Sequence, residues 1–265
     1  MLRKQLLCCS AVLGLVMMSN LYSYHAAVIE DEIALRRDTI SYSDLWLDDV
    51  NQVRNSPYFA SLNFADENVP LGDKQIEKKM MRYLKAYSGK HTTQFYTKIG
   101  AALPKVETIL KRYGIPSDFK YIPLVESGFV NGTTSHRGAS GYWQFMPQTA
   151  RSFGLRVDGE VDERQDIEKS TVAAAKYLKS LYKIFNSWTL VAAAYNIGEG
   201  NLKQAIYKQQ EDNYFKLDLN RETGSYVYKL ISVKEVIEHP GIHANSKRVR
   251  MAEAASVMQP DSRKL

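Results

Sequence analysis

Downstream of residue 75, apolar residues return every three or four positions, and that spacing predicts a series of helices. The first runs from Ile76 to Tyr87, and the second carries Leu103, Val106, Ile109 and Leu110 and ends at Gly114 and Pro116. Ser117 is placed to cap a helix bearing Phe119, Ile122 and Val125, which Gly128 stops. Pro147 suits the first position of a short helix closed by Gly154. The longest helix is expected from Asp166, as its cap, to Phe185, with Thr171, Ala174, Ala175, Leu178, Leu181, Tyr182 and Phe185 on one core-facing stripe. Trp188 to Ile197, stopped by Gly198, and Asn201 to Gln210 follow. A last helix, Glu222 to Glu238, turns Val227, Leu230, Ile231, Val233 and Ile237 inward and ends before Pro240. No stretch alternates with the period of a strand, so the fold class read from the pattern is mainly α.

The flanks are different. From Val28 to about Leu71 the chain is polar, charged and broken by Pro57 and Pro70, which marks an N-terminal extension; 28–112 is expected as a helical extension and 113–240 as the main domain. The 241–265 tail is poor in large apolar residues, holds Lys247, Arg248, Arg250, Arg263 and Lys264, and reads as flexible. Residues 1–26 have the order of an export signal: a basic start, an apolar run from Leu6 to Met18, then small and polar residues. The alternative is an uncleaved membrane anchor, although the run is shorter than the roughly 20 residues of a spanning helix.

Composition sharpens this picture in two ways. Both cysteines, Cys8 and Cys9, lie in the apolar run, so a chain processed near Ala26 has no thiol for a disulfide or a thiolate metal site. The formal charge of +6 falls to +4 once Arg3 and Lys4 are removed. A mildly basic balance favours polyanionic partners without choosing among them. Nucleic-acid binding would rest on the basic tail alone and is not expected.

One residue stands out as chemistry. Glu126 falls at the C-terminal end of a predicted helix, where the macrodipole disfavours a carboxylate, and it follows Leu124 and Val125 with Phe129 close behind. Both effects raise its pKa, as a proton donor to a glycosidic oxygen requires. Taken by itself, the position also fits a solvent-facing glutamate at a helix end. His25 and His136 lack metal-like partner spacing, and Asp158, Glu160, Asp162, Glu163 and Asp166 lack a calcium-loop pattern and read as a solvated loop. Trp143 and Met146 fit the core as well as a site, Asn196 fits a helix C-cap before Gly198, and Ser140 fits a turn. No metal or cofactor is expected.

The string YIPLVESGFVNGTTSHRGASGYWQFMPQTARSF, Tyr121 to Phe153, resembles the catalytic core of soluble-type lytic transglycosylases, the SLT domain of glycoside hydrolase family 23. Glu126-Ser127, the Gly138 to Gly141 turn, Gln144 before Met146-Pro147, Ala194-Tyr195-Asn196, and Glu222-Thr223 with Tyr226-Val227 occur in the family's order. The match extends more loosely upstream to about Ile76, where the helices before Tyr113-Gly-Ile-Pro116 look like the branch containing membrane-bound lytic murein transglycosylase D. The resemblance implies a lysozyme-like helical domain in which Glu126 is the general acid and then base. It also implies substrate contacts at Ser127, Ser135, Gln144, Phe145, Met146, Tyr195, Asn196, Glu222 and Tyr226. The implied partner is the peptidoglycan glycan strand, cut at the β-1,4 MurNAc-GlcNAc bond to leave 1,6-anhydro-MurNAc ends. The implied location is the periplasm or cell envelope, with attachment through the N-terminus left open. Two rivals stand beside this reading. One is a hydrolytic muramidase using Asp158, Asp162 or Asp166 as second carboxylate; the other is a silent wall-binding protein, against which intact Glu126, Gln144 and Tyr195 argue.

Overall fold

The computed structural model describes residues 61–70, 72–88, 90–100 and 102–240. The expected signal or anchor, both cysteines, the extension before residue 61 and the basic tail lie outside the described residues. Within them the architecture is mainly α, as the hydrophobic spacing predicts. None of the described helices is long and apolar enough to cross a membrane.

The description begins with a feature that the pattern does not reveal. Strands β1 (Asn63–Phe64) and β2 (Glu67–Asn68) pair antiparallel as a tight hairpin, and two-residue strands are too short to show alternation. Its turn residues, Ala65 and Asp66, lie at φ 52° and 65°, the left-handed conformation that two-residue hairpins favour. Alanine tolerates that region poorly, and here its N–H is held by Asp118 Oδ2 at 2.8 Å.

Helix α1 (Lys74–Tyr87) starts at Asp73, whose carboxylate accepts from the N–H groups of Gln75 and Ile76. It buries Ile76, Met80, Tyr83, Leu84 and Tyr87, one face at helical spacing. Helix α2 (Lys90–Gly100) has no clear stripe in its sequence, KHTTQFYTKIG, and was not among the expected helices. Tertiary contact decides it: at Gly100 a Cβ would come 2.9 Å from Ile237 Cγ2, so glycine permits the close approach.

Helix α3 (Pro104–Arg112) buries Val106, Ile109 and Leu110 against α6 (Ile167–Phe185). The single helix expected after Ser117 is instead a 3-10 turn, Ser117–Tyr121, followed by α4 (Ile122–Ser127). Pro123 sits in the first turn of α4, where its missing N–H is tolerated, and Ser117 makes no capping bond. Short helix α5 (Pro147–Ser152) begins on its proline as expected.

Asp166 caps α6 through the N–H groups of Glu168 and Lys169, and Thr171, Ala174, Ala175, Leu178 and Leu181 are buried. Tyr182 and Phe185, at the end of that stripe, stay half-buried, with Tyr182 stacked on Trp188 at 4.0 Å between ring centres. Helix α7 (Trp188–Ile197) is buried from Thr189 to Ala194, and its small side chains let α6 and α9 (Arg221–Glu238) close on it. Between them α8 (Glu199–Gln209) contributes Leu202 to the core. Helix α9 packs on α1, α2, α4, α7 and β1, and so ties the N-terminal elements to those that carry Glu126 and Tyr195.

Candidate active site

Glu126 occupies the last turn of α4. The helix ends there because Gly128 adopts φ 61° and its N–H returns to Leu124 O, while Phe129 N–H reaches Pro123 O. The residue is partly exposed, and burial of its carboxyl, the largest cause, pushes its pKa up to about 7. The Tyr226 hydroxyl opposes this by donating to Oε1 at 2.5 Å, a bond that favours the ionised form. Glu222 raises the pKa and Lys229 lowers it, both through space. A carboxyl balanced in this way can give up and take back a proton near neutral pH.

The residues expected around Glu126 divide into several groups. Tyr226 is buried on α9 and touches the acid directly. Glu222, one turn earlier and exposed, accepts from Asn196 Nδ2 at 3.1 Å; Asn196 Oδ1 in turn accepts from Thr223 Oγ1 at 2.7 Å. Asn196 therefore ties α7 to α9, and the C-cap of α7 is Gly198. The Tyr195 hydroxyl donates to Trp143 O at 2.7 Å, and desolvation of the ring, with the nearby Glu126 charge, holds its pKa well above the usual tyrosine value.

The loop from Asn131 to Met146 carries the rest. Gln144, at φ 47°, directs its Nε2 to Thr133 O and Gly141 O. Met146 is 43% exposed, so it is available as an apolar wall, whereas Trp143 is wholly buried with Nε1 on Thr171 Oγ1. Ser135 is exposed, with Oγ accepting from Ala139 N–H. Two members of the expected set turn inward. Ser127 is buried with its hydroxyl against Pro123 O and Tyr142 O, both at 2.9 Å, and Phe145 is buried between Tyr177 and Tyr195. Both brace the site from behind.

The acidic stretch is more than a solvated loop. Asp158 is exposed, paired with Arg156, and accepts the N–H groups of Glu160 and Val161, with its pKa pulled down to about 2, chiefly by backbone N–H donation. Asp166 caps α6. Asp162 grips the buried Arg164 by two bonds, Nε to Oδ1 at 2.8 Å and Nη2 to Oδ2 at 2.6 Å. Arg164 was not singled out in the sequence, although a lone arginine inside a run of acids is a signal for a paired, buried charge. Two surface cavities, of about 410 and 450 Å³, lie elsewhere, the first lined by Asp118 and Lys234 and the second by Glu67 and Ser187; Glu126 lines neither. Among the described residues no group of three or more His, Cys, Asp or Glu side chains could hold a metal ion.

Residues 106–217 match the model of the Transglycosylase SLT domain. The chain carries an SLT domain. It is 30% identical over 214 residues to "Membrane-bound lytic murein transglycosylase D" of Escherichia coli (strain K12), covering 77% of this chain and 44% of that protein. The same figures hold for the protein of that name in Escherichia coli O6:H1. The chain thus spans less than half the length of these curated relatives. A solved lytic transglycosylase Slt from Pseudomonas aeruginosa, an inactive mutant, aligns with 70% of this chain and 32% of its own at TM-score 0.42 and 21% identity. Glu126, Gln144 and Tyr195 fall within the matched SLT span, whereas the β1–β2 hairpin, α1, α2 and α9 with Tyr226 fall outside it.

Proposed function

We propose that this protein is a peptidoglycan lytic transglycosylase that cuts the β-1,4 bond between MurNAc and GlcNAc. The observation that carries this reading is Glu126: a partly open carboxyl pushed up to about 7, hydrogen-bonded by Tyr226, while Asp158, Asp162 and Asp166 are engaged elsewhere. A retaining hydrolase needs a second free carboxylate about 5 Å from the acid. The loop acids supply none.

The protonated Glu126 donates to the glycosidic oxygen as the bond to C1 of MurNAc breaks, and the departing GlcNAc keeps the proton and the electron pair. The sugar's 2-acetamido oxygen shields the cationic C1. Tyr226 stabilises the carboxylate that Glu126 has become. That carboxylate takes the proton of the MurNAc 6-hydroxyl, O6 bonds to C1, and a 1,6-anhydro ring closes with the acid restored. No water enters the product. Holding O6 near C1 is an intramolecular arrangement that lowers the barrier through orientation, and it falls to Gln144, Met146, Ser135 and Tyr195 to arrange it.

On this reading 113–240 is the catalytic region, and within the helical extension proposed for 28–112 it is α1 and α2 that brace α9. The protein works in the periplasm or on the cell envelope, reached through the export signal or anchor in 1–26. The test is mass spectrometry of purified peptidoglycan digested by the wild type and by Glu126→Gln. Anhydro ends from the wild type alone uphold the proposal; reducing ends heavier by one water would assign a hydrolase, and no release from either would leave a wall-binding protein.

A further inference from the structure

The loop from Asn131 to Met146 presents Ser135, Gln144 and Met146, and it is joined internally by the paired Ser140–Phe145 backbone bonds, by Ser135 N–H to Ala139 O and Gly141 N–H to Thr133 O, and by the Thr134–Ser140 hydroxyl contact. Residues 131–137 are exposed, and Gly132, Gly138, Gly141 and Gln144 all lie at positive φ. Gln144 is the one of these four with a side chain, and a non-glycine residue keeps a left-handed backbone where its surroundings over-determine it. Beyond the loop's own bonds, the surroundings here are three residues of one turn.

Arg164 Nη1 donates to Gly138 O at 2.7 Å and to Phe145 O at 2.9 Å, carbonyls on either side of the Ser140–Gln144 bend. Gln165 reaches two further points: its Nε2 donates to Ser140 Oγ at 2.7 Å, and its Oε1 accepts from Gly132 N–H at 2.8 Å. Asp162 fixes the plane of the guanidinium by the side-on pair already described, a geometry lysine cannot reproduce. The fit is close, since a Cβ on Gly141 would stand 2.0 Å from the carbonyl oxygen of Arg164. With the loop so held, both N–H donors of the Gln144 amide are used inside it, and the carbonyl Oε1 remains as an acceptor.

Resting on the transglycosylase reading, we propose that Asp162, Arg164 and Gln165 are positioning residues, a clamp that sets Gln144 as a hydrogen-bond acceptor and Met146 as an apolar wall for the sugar. The donor that Gln144 accepts from is an amide N–H or hydroxyl of an N-acetylated hexosamine. None of the three clamp residues touches substrate. Their effect on turnover therefore passes through the loop.

The test uses the full chain with Gln165→Ala and Arg164→Lys, each alone and combined with Gln144→Ala. Turnover of purified glycan strands is read against the wild type and Glu126→Gln, and backbone amide exchange is followed at Gly132, Gly141 and Phe145. Misplacement by about 1 Å costs on the order of 100-fold, so Arg164→Lys should fall by about that factor in kcat with the protein still folded. In the Gln144→Ala background the same change should cost less than about 3-fold, because residues acting as one unit are not additive. Amide exchange at the three positions should quicken. Equal losses with and without Gln144→Ala, or unchanged exchange, would overturn the clamp. If Arg164→Lys does not fold, the half-exposed Gln165→Ala decides by the same criteria. Should the wild type release nothing while Glu126→Gln behaves identically, the transglycosylase reading fails, and exchange at the loop alone then upholds or overturns the clamp.

Discussion

Tyr226 on α9 donates its hydroxyl to Oε1 of Glu126 at the end of α4, a bond joining residues 100 positions apart. Burial and this bond act on the acid in opposite directions, burial raising the pKa and the bond lowering it, and burial prevails at about 7. In the proposed reaction it is the protonated form that acts first. Activity measured as kcat/KM should therefore fall as pH rises through about 7, and an alkaline limb lying instead above 9 would remove Glu126 as the acid.

The same shift has a stability consequence. A carboxyl whose folded pKa lies above its unfolded value favours the folded state when protonated, and that contribution is lost as pH rises from about 4.5 to about 7. Glu126→Gln cannot ionise, so it should abolish turnover yet melt at least about 2 °C above the wild type at pH 8, with the gap closing near pH 4. Thermal melts at the two pH values check this.

Tyr226→Phe removes the donor that favours the ionised acid. The Glu126 pKa should then rise further, moving the alkaline limb of the pH profile upward by about one unit, since a hydrogen bond to a charged group is worth about 1.5–3 kcal/mol. Turnover should fall as well, because the carboxylate that accepts the 6-hydroxyl proton in the proposed reaction is less stabilised. A profile superimposable on the wild type would show that the bond has no part in the chemistry.

The helices that the sequence made legible are those with an apolar stripe, such as Ile76 to Tyr87 and Thr171 to Leu181, because burial on one face dictates spacing. Glu126 was legible as an acid with a raised pKa from its helix end and apolar neighbours, whereas in the structure burial is the chief cause and Tyr226, Glu222 and Lys229 act on it from α9, about 100 positions away. Helix α2 was not, since what fixes it is contact with α9, and Gly100 against Ile237 leaves no periodic trace. Nor were the targets of Arg164, which lie 19 and 26 positions away in a loop without regular structure. Ser127 and Phe145 show the converse. Their motif placed them beside the acid, and only packing decides that the Ser127 hydroxyl meets backbone carbonyls and the Phe145 ring meets Tyr177 and Tyr195.

Glu67, outside the matched SLT span, caps a helix inside it. Its carboxylate accepts from Ser187 Oγ at 2.9 Å, from Thr189 N–H and Oγ1 at 3.0 and 2.6 Å, and from Trp188 N–H, so the first turn of α7 is satisfied from the β1–β2 hairpin. Glu67→Ala would leave those donors unmet and should cost about 2–4 kcal/mol, read as a lower urea midpoint at unchanged slope. A loss below about 0.5 kcal/mol would show that solvent replaces the cap.

The last prediction separates a transglycosylase from a hydrolase through the individual acids. Asp158 is exposed and committed to Arg156 and two backbone N–H groups, and Asp166 is committed to the first turn of α6. Both carboxylates already have partners of their own. Asp158→Asn and Asp166→Asn should each cost much less than the roughly 100-fold typical of losing a proton-transfer group, the second acting mainly through a cap worth about 1 kcal/mol. Asp162→Asn belongs with the Arg164 clamp: it should lower turnover without changing the product, because it loosens the guanidinium rather than removing a nucleophile. Glu222 is different again, being the acid whose charge raises the Glu126 pKa while its own carboxylate accepts from Asn196. Glu222→Gln should lower the Glu126 pKa and shift the alkaline limb downward, with anhydro ends still the product. Reducing ends from the wild type, together with a loss at Asp158, Asp162, Asp166 or Glu222 equal to that of Glu126→Gln, would assign that carboxylate as the second catalytic group and the reaction as hydrolysis.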